Sequence, residues 1–175
     1  MNKVILLLSA LIQLGSCSFN SSQYDSLKKL VNKQDNSLKP VKTWVAYWID
    51  QKIDLYAINL EDQIIFADEN INIFYRDKQV YKITGILPDS STLEIESNDS
   101  SLSFLSNGKK IGVDSCEVGF LVVRDEKNEK YMRSCIEKKS RKNYENQVVF
   151  NSEGLIIGMQ FKVHPDYPLL QLSMK

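Results

Sequence analysis

From Val41 onward the chain breaks into short runs of strand-forming residues separated by polar turns, a spacing that leaves room for little except antiparallel sheet. Val41 to Asp50 holds Trp44, Val45, Tyr47, Trp48 and Ile49, all of which fit a pleated, half-buried surface. Ile53, Leu55 and Ala57 then alternate with Asp54, Tyr56 and Ile58, with Asp50-Gln51-Lys52 as the intervening turn. The same reading predicts strands over 63–67, 71–75, 79–87, 92–97, 101–105, 116–124, 130–137, 145–151, 155–163 and 169–173. Arg76-Asp77-Lys78, Pro88-Asp89-Ser90, Asn107-Gly108 and Ser152-Glu153-Gly154 supply turns between them. The expected fold is mainly β, an antiparallel sandwich or a partly open barrel. Ahead of it, Tyr24, Leu27, Leu30 and Val31 sit at helical spacing and predict a short N-terminal helix from about Ser22 to Lys33.

The first 17 residues indicate where such a body is delivered. Lys3 precedes an apolar run from Val4 to Leu14, and Leu14-Gly15-Ser16-Cys17 follows. A charged start, a short apolar core and small residues before a cut site describe a secretory signal peptide. The run is too short to cross a bilayer, which takes about 20 apolar residues. The cysteine directly after Leu-Gly-Ser resembles a bacterial lipoprotein signal, in which the thiol is acylated and the leader is cut before Cys17. The plainer alternative is a secreted protein cut near Ser16. The lipid reading divides the chain into a signal peptide (1–16), a lipidated stalk (17–22) and a single β-rich domain (23–175). Acyl chains anchor strongly, at about 0.8 kcal/mol per buried CH₂. Ser18, rather than an aspartate, favours the outer membrane, facing the periplasm.

Hydrophobic residues make up 43% of the chain and charged ones 25%, the ordinary balance of a globular domain. Acidic and basic residues number 22 each, so no positive surface recommends nucleic acid as a partner. With Cys17 assigned to lipid, Cys116 and Cys135 remain, and an oxidising compartment favours their disulfide over two separate thiols. A hairpin centred on Lys127-Asn128 would set Cys116 against about Lys139, so the bond requires a bulge or a different strand neighbour.

Catalytic patterns do not emerge. The single histidine, His164, precedes Pro165 and reads as a loop or strand-end residue; no serine lies in a Gly-x-Ser-x-Gly elbow. Carboxylates are abundant, and a glycosidase would need two of them facing each other in a cleft, whereas solvated strand faces explain each one. The expectation is no enzyme, no cofactor and no metal. Two groups are candidates for ligand contact. The basic run Lys138, Lys139, Arg141 and Lys142 reads either as a hydrated loop or as a contact for anionic polysaccharide or lipid head groups. Trp44 and Trp48 read either as core or as sugar-stacking faces.

Two segments also carry a family likeness. The first, from Trp48 to Leu87, includes Ile71-Asn72-Ile73-Phe74-Tyr75-Arg76-Asp77-Lys78-Gln79-Val80-Tyr81-Lys82-Ile83 and then Thr84-Gly85-Ile86. The second is Gln147-Val148-Val149-Phe150-Asn151-Ser152-Glu153-Gly154-Leu155-Ile156-Ile157-Gly158-Met159-Gln160. Together with the lipoprotein signal they resemble the YjbF/GfcB family, the group 4 capsule polysaccharide lipoproteins. Ser97 to Asp114 has no counterpart in the pattern, and Val149-Phe150 stands where the family commonly has a tryptophan. The resemblance implies a non-enzymatic outer-membrane lipoprotein assisting capsule or exopolysaccharide assembly or secretion. Its partners would be the membrane, through the lipid anchor, and polysaccharide or export-complex proteins. Thr84, Gly85 and Gln160 match the shared pattern and read as fold positions. The alternative function is a lipid or lipoprotein carrier with a half-open β-barrel, whose cavity would be lined by residues such as Trp48, Leu55 and Ile73.

Overall fold

The computed structural model describes residues 43–87, 89 and 91–175; the leader, Cys17, the stalk and the predicted 22–33 helix lie outside them. Thirteen strands follow one another: β1 (Trp44–Trp48), β2 (Gln51–Asn59), β3 (Ile64–Ala67), β4 (Asn72–Arg76), β5 (Gln79–Thr84), β6 (Leu93–Ser97), β7 (Ser101–Ser106), β8 (Lys109–Cys116), β9 (Leu121–Arg124), β10 (Asn128–Ile136), β11 (Asn143–Asn151), β12 (Ile156–Phe161) and β13 (Leu170–Met174). All pairings are antiparallel, and most join sequence neighbours. The last strand returns to the first, with Trp44 opposite Met174, and β10 pairs with β11 along its whole length.

The barrel is therefore closed. The expected sandwich or partly open barrel is corrected on this point: twelve strands form the ring, and β9 stands outside it, paired only with β10. Closure depends on β8 and β9 sharing one edge of β10. β8 meets the Cys135–Ile136 end and β9 the Glu129–Met132 end. The predicted strand 116–124 is thus two strands broken at residues 117–120, where Gly119 takes φ +79°. β8 also occupies 109–115, where no strand is predicted.

Inside the ring the side chains of Leu55, Phe66, Ile73, Ile83, Leu93, Leu102, Phe104, Val148, Phe161 and Leu170 are fully buried in one apolar cluster. Three bulges decide which residues reach it. Tyr81, Ile111 and Ile157 are each passed over in the ladders, where Tyr75 pairs with Val80, Leu105 with Lys110 and Phe150 with Ile156. An extra residue reverses the in–out alternation beyond it. Val80 and Ile83 are consequently both interior, although three positions apart.

One end of the barrel is stoppered by the β12–β13 connection. Pro165 sits where a side chain on Gly112 would be, so that an added Cβ would lie 2.9 Å from the proline Cβ. Tyr167 packs edge-on against Trp48 at 5.3 Å, and Trp48 Nε1 donates to the Pro168 carbonyl at 2.9 Å. Lys162 Nζ donates to Glu137 Oε1 (2.9 Å) and to the Tyr167 carbonyl (2.8 Å), tying the plug to the β10–β11 hairpin.

At this same end, β1 and β2 are joined by Ile49-Asp50, because Trp48 pairs with Gln51; the turn starts one residue earlier than the predicted Asp50-Gln51-Lys52 and is one residue shorter. Ile49 is 45% exposed and adopts φ +53°. A β-branched residue in the left-handed region is strained by about 1–2 kcal/mol. Ile49→Asn is expected to raise stability by about 1 kcal/mol, read as a higher urea midpoint at unchanged m. An equal or lower midpoint would show the isoleucine to be unstrained.

Candidate functional site

The opposite end carries a cavity of about 420 Å³. It forms where β1, β3 and β12 begin and β2, β4, β11 and β13 end, and its walls are mostly apolar: Trp44, Phe66, Tyr75, Phe150, Ile156 and Met174 among them. Asn59 and Lys78 supply the polar part of the lining. That size falls within the usual range for small-molecule pockets, about 300–1,000 Å³.

Each wall follows from local chain geometry. Trp44 is the first residue of β1 and meets Phe66 edge-on at 4.8 Å. Tyr75 lies two residues beyond Ile73 on the inward face of β4. Asp77 and Lys78 (φ +52° and +62°) make the two-residue hairpin turn between β4 and β5, whose positive dihedrals match the twist of the flanking strands. Lys78 Nζ lies 4.5 Å from the centroid of the Tyr131 ring, which packs on Phe150 at 5.6 Å. The β10–β11 arm thereby reaches across to the β4–β5 turn at the rim.

Tyr75 is the unusual member. It is 6% exposed, and its hydroxyl has no hydrogen-bond partner among the described residues. Burial, reinforced by the nearby Asp77 charge, pushes its pKa well above the ordinary tyrosine value, so it stays a neutral donor. An unpartnered buried hydroxyl costs about 1–3 kcal/mol. A more polar groove of about 590 Å³ runs past the disulfide, lined by Ser115, Glu117, Ser134, Asn143, Tyr144 and Glu145 among others. There the Tyr144 hydroxyl is satisfied, donating to Asp114 Oδ2 at 2.8 Å.

The family comparisons come back empty. No family model matches this chain, and no curated protein or solved structure matches it significantly.

The sequence-predicted residues fall at both ends of the barrel. Trp44 lines the cavity. Trp48 is 2% exposed within the plugged end, its indole N–H already used. Lys138, Lys139, Arg141 and Lys142 form the β10–β11 hairpin loop at that same plugged end, away from the cavity. Lys139 is paired with Asp166 at 2.8 Å. That hydrogen bond raises the lysine pKa and lowers the aspartate's. Leu55 and Ile73, expected around a carrier cavity, are packed in the filled core. Cys116 and Cys135 are joined in a disulfide with Cα atoms 4.0 Å apart. The mismatch with the simple hairpin disappears because the β9–β10 turn centres on Glu126-Lys127 and the 117–120 break absorbs two further residues. Among the described residues no three His, Cys or carboxylate side chains gather in a metal-holding group. Thr84 Oγ1 accepts from Asn72 Nδ2 at 3.3 Å, and Gln160 Nε2 donates to the Glu145 carbonyl at 3.2 Å, both binding neighbouring strands together.

His164 belongs to the plug, not to the cavity. Its ring packs on Tyr167 at 4.5 Å and its Nδ1 accepts from the Asp166 amide at 3.1 Å. Burial lowers its pKa. Because the unfolded chain then takes up this proton more readily, stability falls as pH drops through about 6.5, the ordinary histidine value. His164→Asn preserves an acceptor and cannot titrate. Between pH 7.5 and 5.5 the wild type is expected to lose more thermal stability than this variant; parallel losses would remove the histidine from the account.

Proposed function

We propose that this chain is a non-enzymatic, lipid-anchored protein of the bacterial outer membrane, facing the periplasm, that assists capsule or exopolysaccharide assembly or secretion. One observation carries the reading: the two segments that resemble the YjbF/GfcB family, separated by about 60 residues in sequence, line the same cavity. Ala57, Asn59, Ile64, Phe66, Tyr75 and Lys78 come from the first, and Phe150, Gly154, Leu155 and Ile156 from the second. The disulfide supports an exported destination, since such bonds persist in oxidising compartments.

The deciding experiment is deletion of the gene in its own host, with surface polysaccharide measured before and after complementation. Loss of surface polysaccharide restored by the wild-type chain, and not by Cys17→Ala, supports the reading. Unchanged polysaccharide on deletion overturns it.

A further inference from the structure

We infer that the cavity is a binding site for a single-chain amphiphile, its apolar tail held among Trp44, Phe66, Phe150, Ile156 and Met174 and an oxygen of its anionic head accepting from Tyr75 Oη. Lys78, on the same hairpin, supplies the countercharge, while Asp77, whose charge also reaches Tyr75, is paired with Arg76 at 3.6 Å. The inference concerns this opening alone and does not depend on the polysaccharide reading.

Three features of the opening lead to this chemistry. The walls are aromatic and aliphatic on all the contributing strands, so the favourable contribution to binding is burial of hydrocarbon. Asn59 and Lys78 are the main polar side chains of the lining, with the Tyr75 hydroxyl covered in the wall, too few for a sugar ring, whose hydroxyls would be buried without partners. The Tyr75 hydroxyl is retained although 94% of the residue is inaccessible and none of the described residues accepts its proton. A phenylalanine would fill the same space without that cost, so the hydroxyl calls for an acceptor beyond the described residues, which we assign to a ligand. The carrier expected from sequence placed its ligand against Leu55 and Ile73. The structure fills that interior and opens the rim instead.

The test is calorimetric titration of the delipidated mature chain with dodecanoate, with acetate and dodecanol as the head-only and uncharged arms. Dodecanoate should bind, dodecanol more weakly, and acetate not measurably. Tyr75→Phe should weaken dodecanoate about tenfold, as expected for a lost hydrogen bond to a charged group, while the folded protein becomes no less stable. Lys78→Met should weaken it several-fold and flatten its salt dependence. Ala57→Phe should abolish binding by filling the space; if that variant does not fold, Tyr75→Phe, which removes a single oxygen, still decides. Absence of dodecanoate binding, equal binding of acetate, or an affinity unchanged in Tyr75→Phe overturns the inference. Should dodecanoate bind while deletion leaves surface polysaccharide intact, the site stands and the secretion reading falls.

Discussion

Gly85→Ala should lower the free energy of unfolding by about 3 kcal/mol, from a left-handed backbone strain of about 1–2 kcal/mol and overpacking of about 1–3 kcal/mol, less a small gain from a stiffer unfolded chain. Gly85 adopts φ +77°, and a Cβ there would lie 1.8 Å from the Asn70 carbonyl oxygen, well inside contact distance. Relief requires backbone movement in the β3–β4 connection, which sets the register of Asn72 opposite Thr84. Gly108→Ala is the natural control. Its φ is +76°, yet nothing lies within 4 Å of the added atom. The control should cost only the strain, about 1 kcal/mol, and the difference between the two urea midpoints isolates the collision. If the two variants lose the same stability, the Asn70 carbonyl yields freely and Gly85 is needed only for its dihedral.

Removal of the Cys116–Cys135 bond should also cost about 3 kcal/mol, the loop-closure value for about 20 residues. The location matters as much as the amount. β8 and β10 share only two registered positions, Cys135 opposite Cys116 and Ile136 opposite Ser115, so this is the shortest hydrogen-bonded seam of the ring along with β5–β6. Arg133 reinforces it. Buried with its Nε donating to the Glu117 carbonyl at 3.1 Å, it also donates to Ser97 Oγ and the Asn98 carbonyl, joining β10 to the β6–β7 turn. In a Cys116→Ser, Cys135→Ser double variant, amide exchange should accelerate first in β8, β9 and the neighbouring half of β10, while β1–β4 keep their protection. A uniform acceleration along the chain would show that the sulfur bridge acts on the unfolded state and not at the seam.

Much of the architecture was legible because short alternating runs report strands directly. Val45, Leu55 and Ile73 lie where the pattern put them, and all but one of the predicted strands correspond to an observed one. The exception, 116–124, fails at Gly119: the apolar run Phe120-Leu121-Val122-Val123 continues the pattern while the backbone breaks, so composition could not show the division. Closure was hidden for a related reason. It rests on β8 and β9 sharing an edge of β10, a long-range pairing that periodicity does not encode. The cavity was only half readable. Trp44 stands out in the sequence, whereas Phe150 and Ile156 do not, because the bulge at Ile157 shifts which side of β12 points inward. Tyr75 carried a signal that could have been used: it alternates with Ile73. What no sequence pattern could supply is that its hydroxyl has no acceptor among the described residues. The basic loop was prominent in sequence, yet its carboxylate neighbours Asp166 and Glu137 come from folding: Asp166 meets Lys139, and Glu137 turns to Lys162 and Ser140.

The two chain ends of the ring meet beside the opening: the Lys175 amide donates to the Thr43 carbonyl at 2.9 Å, and Met174 is itself part of the cavity wall. Any tag or fluorescent reporter fused behind Lys175 is consequently delivered to the doorway. Labels attached at Ser140, on the hairpin at the stoppered pole, leave the doorway clear, and surface immobilisation through that position presents it to solvent.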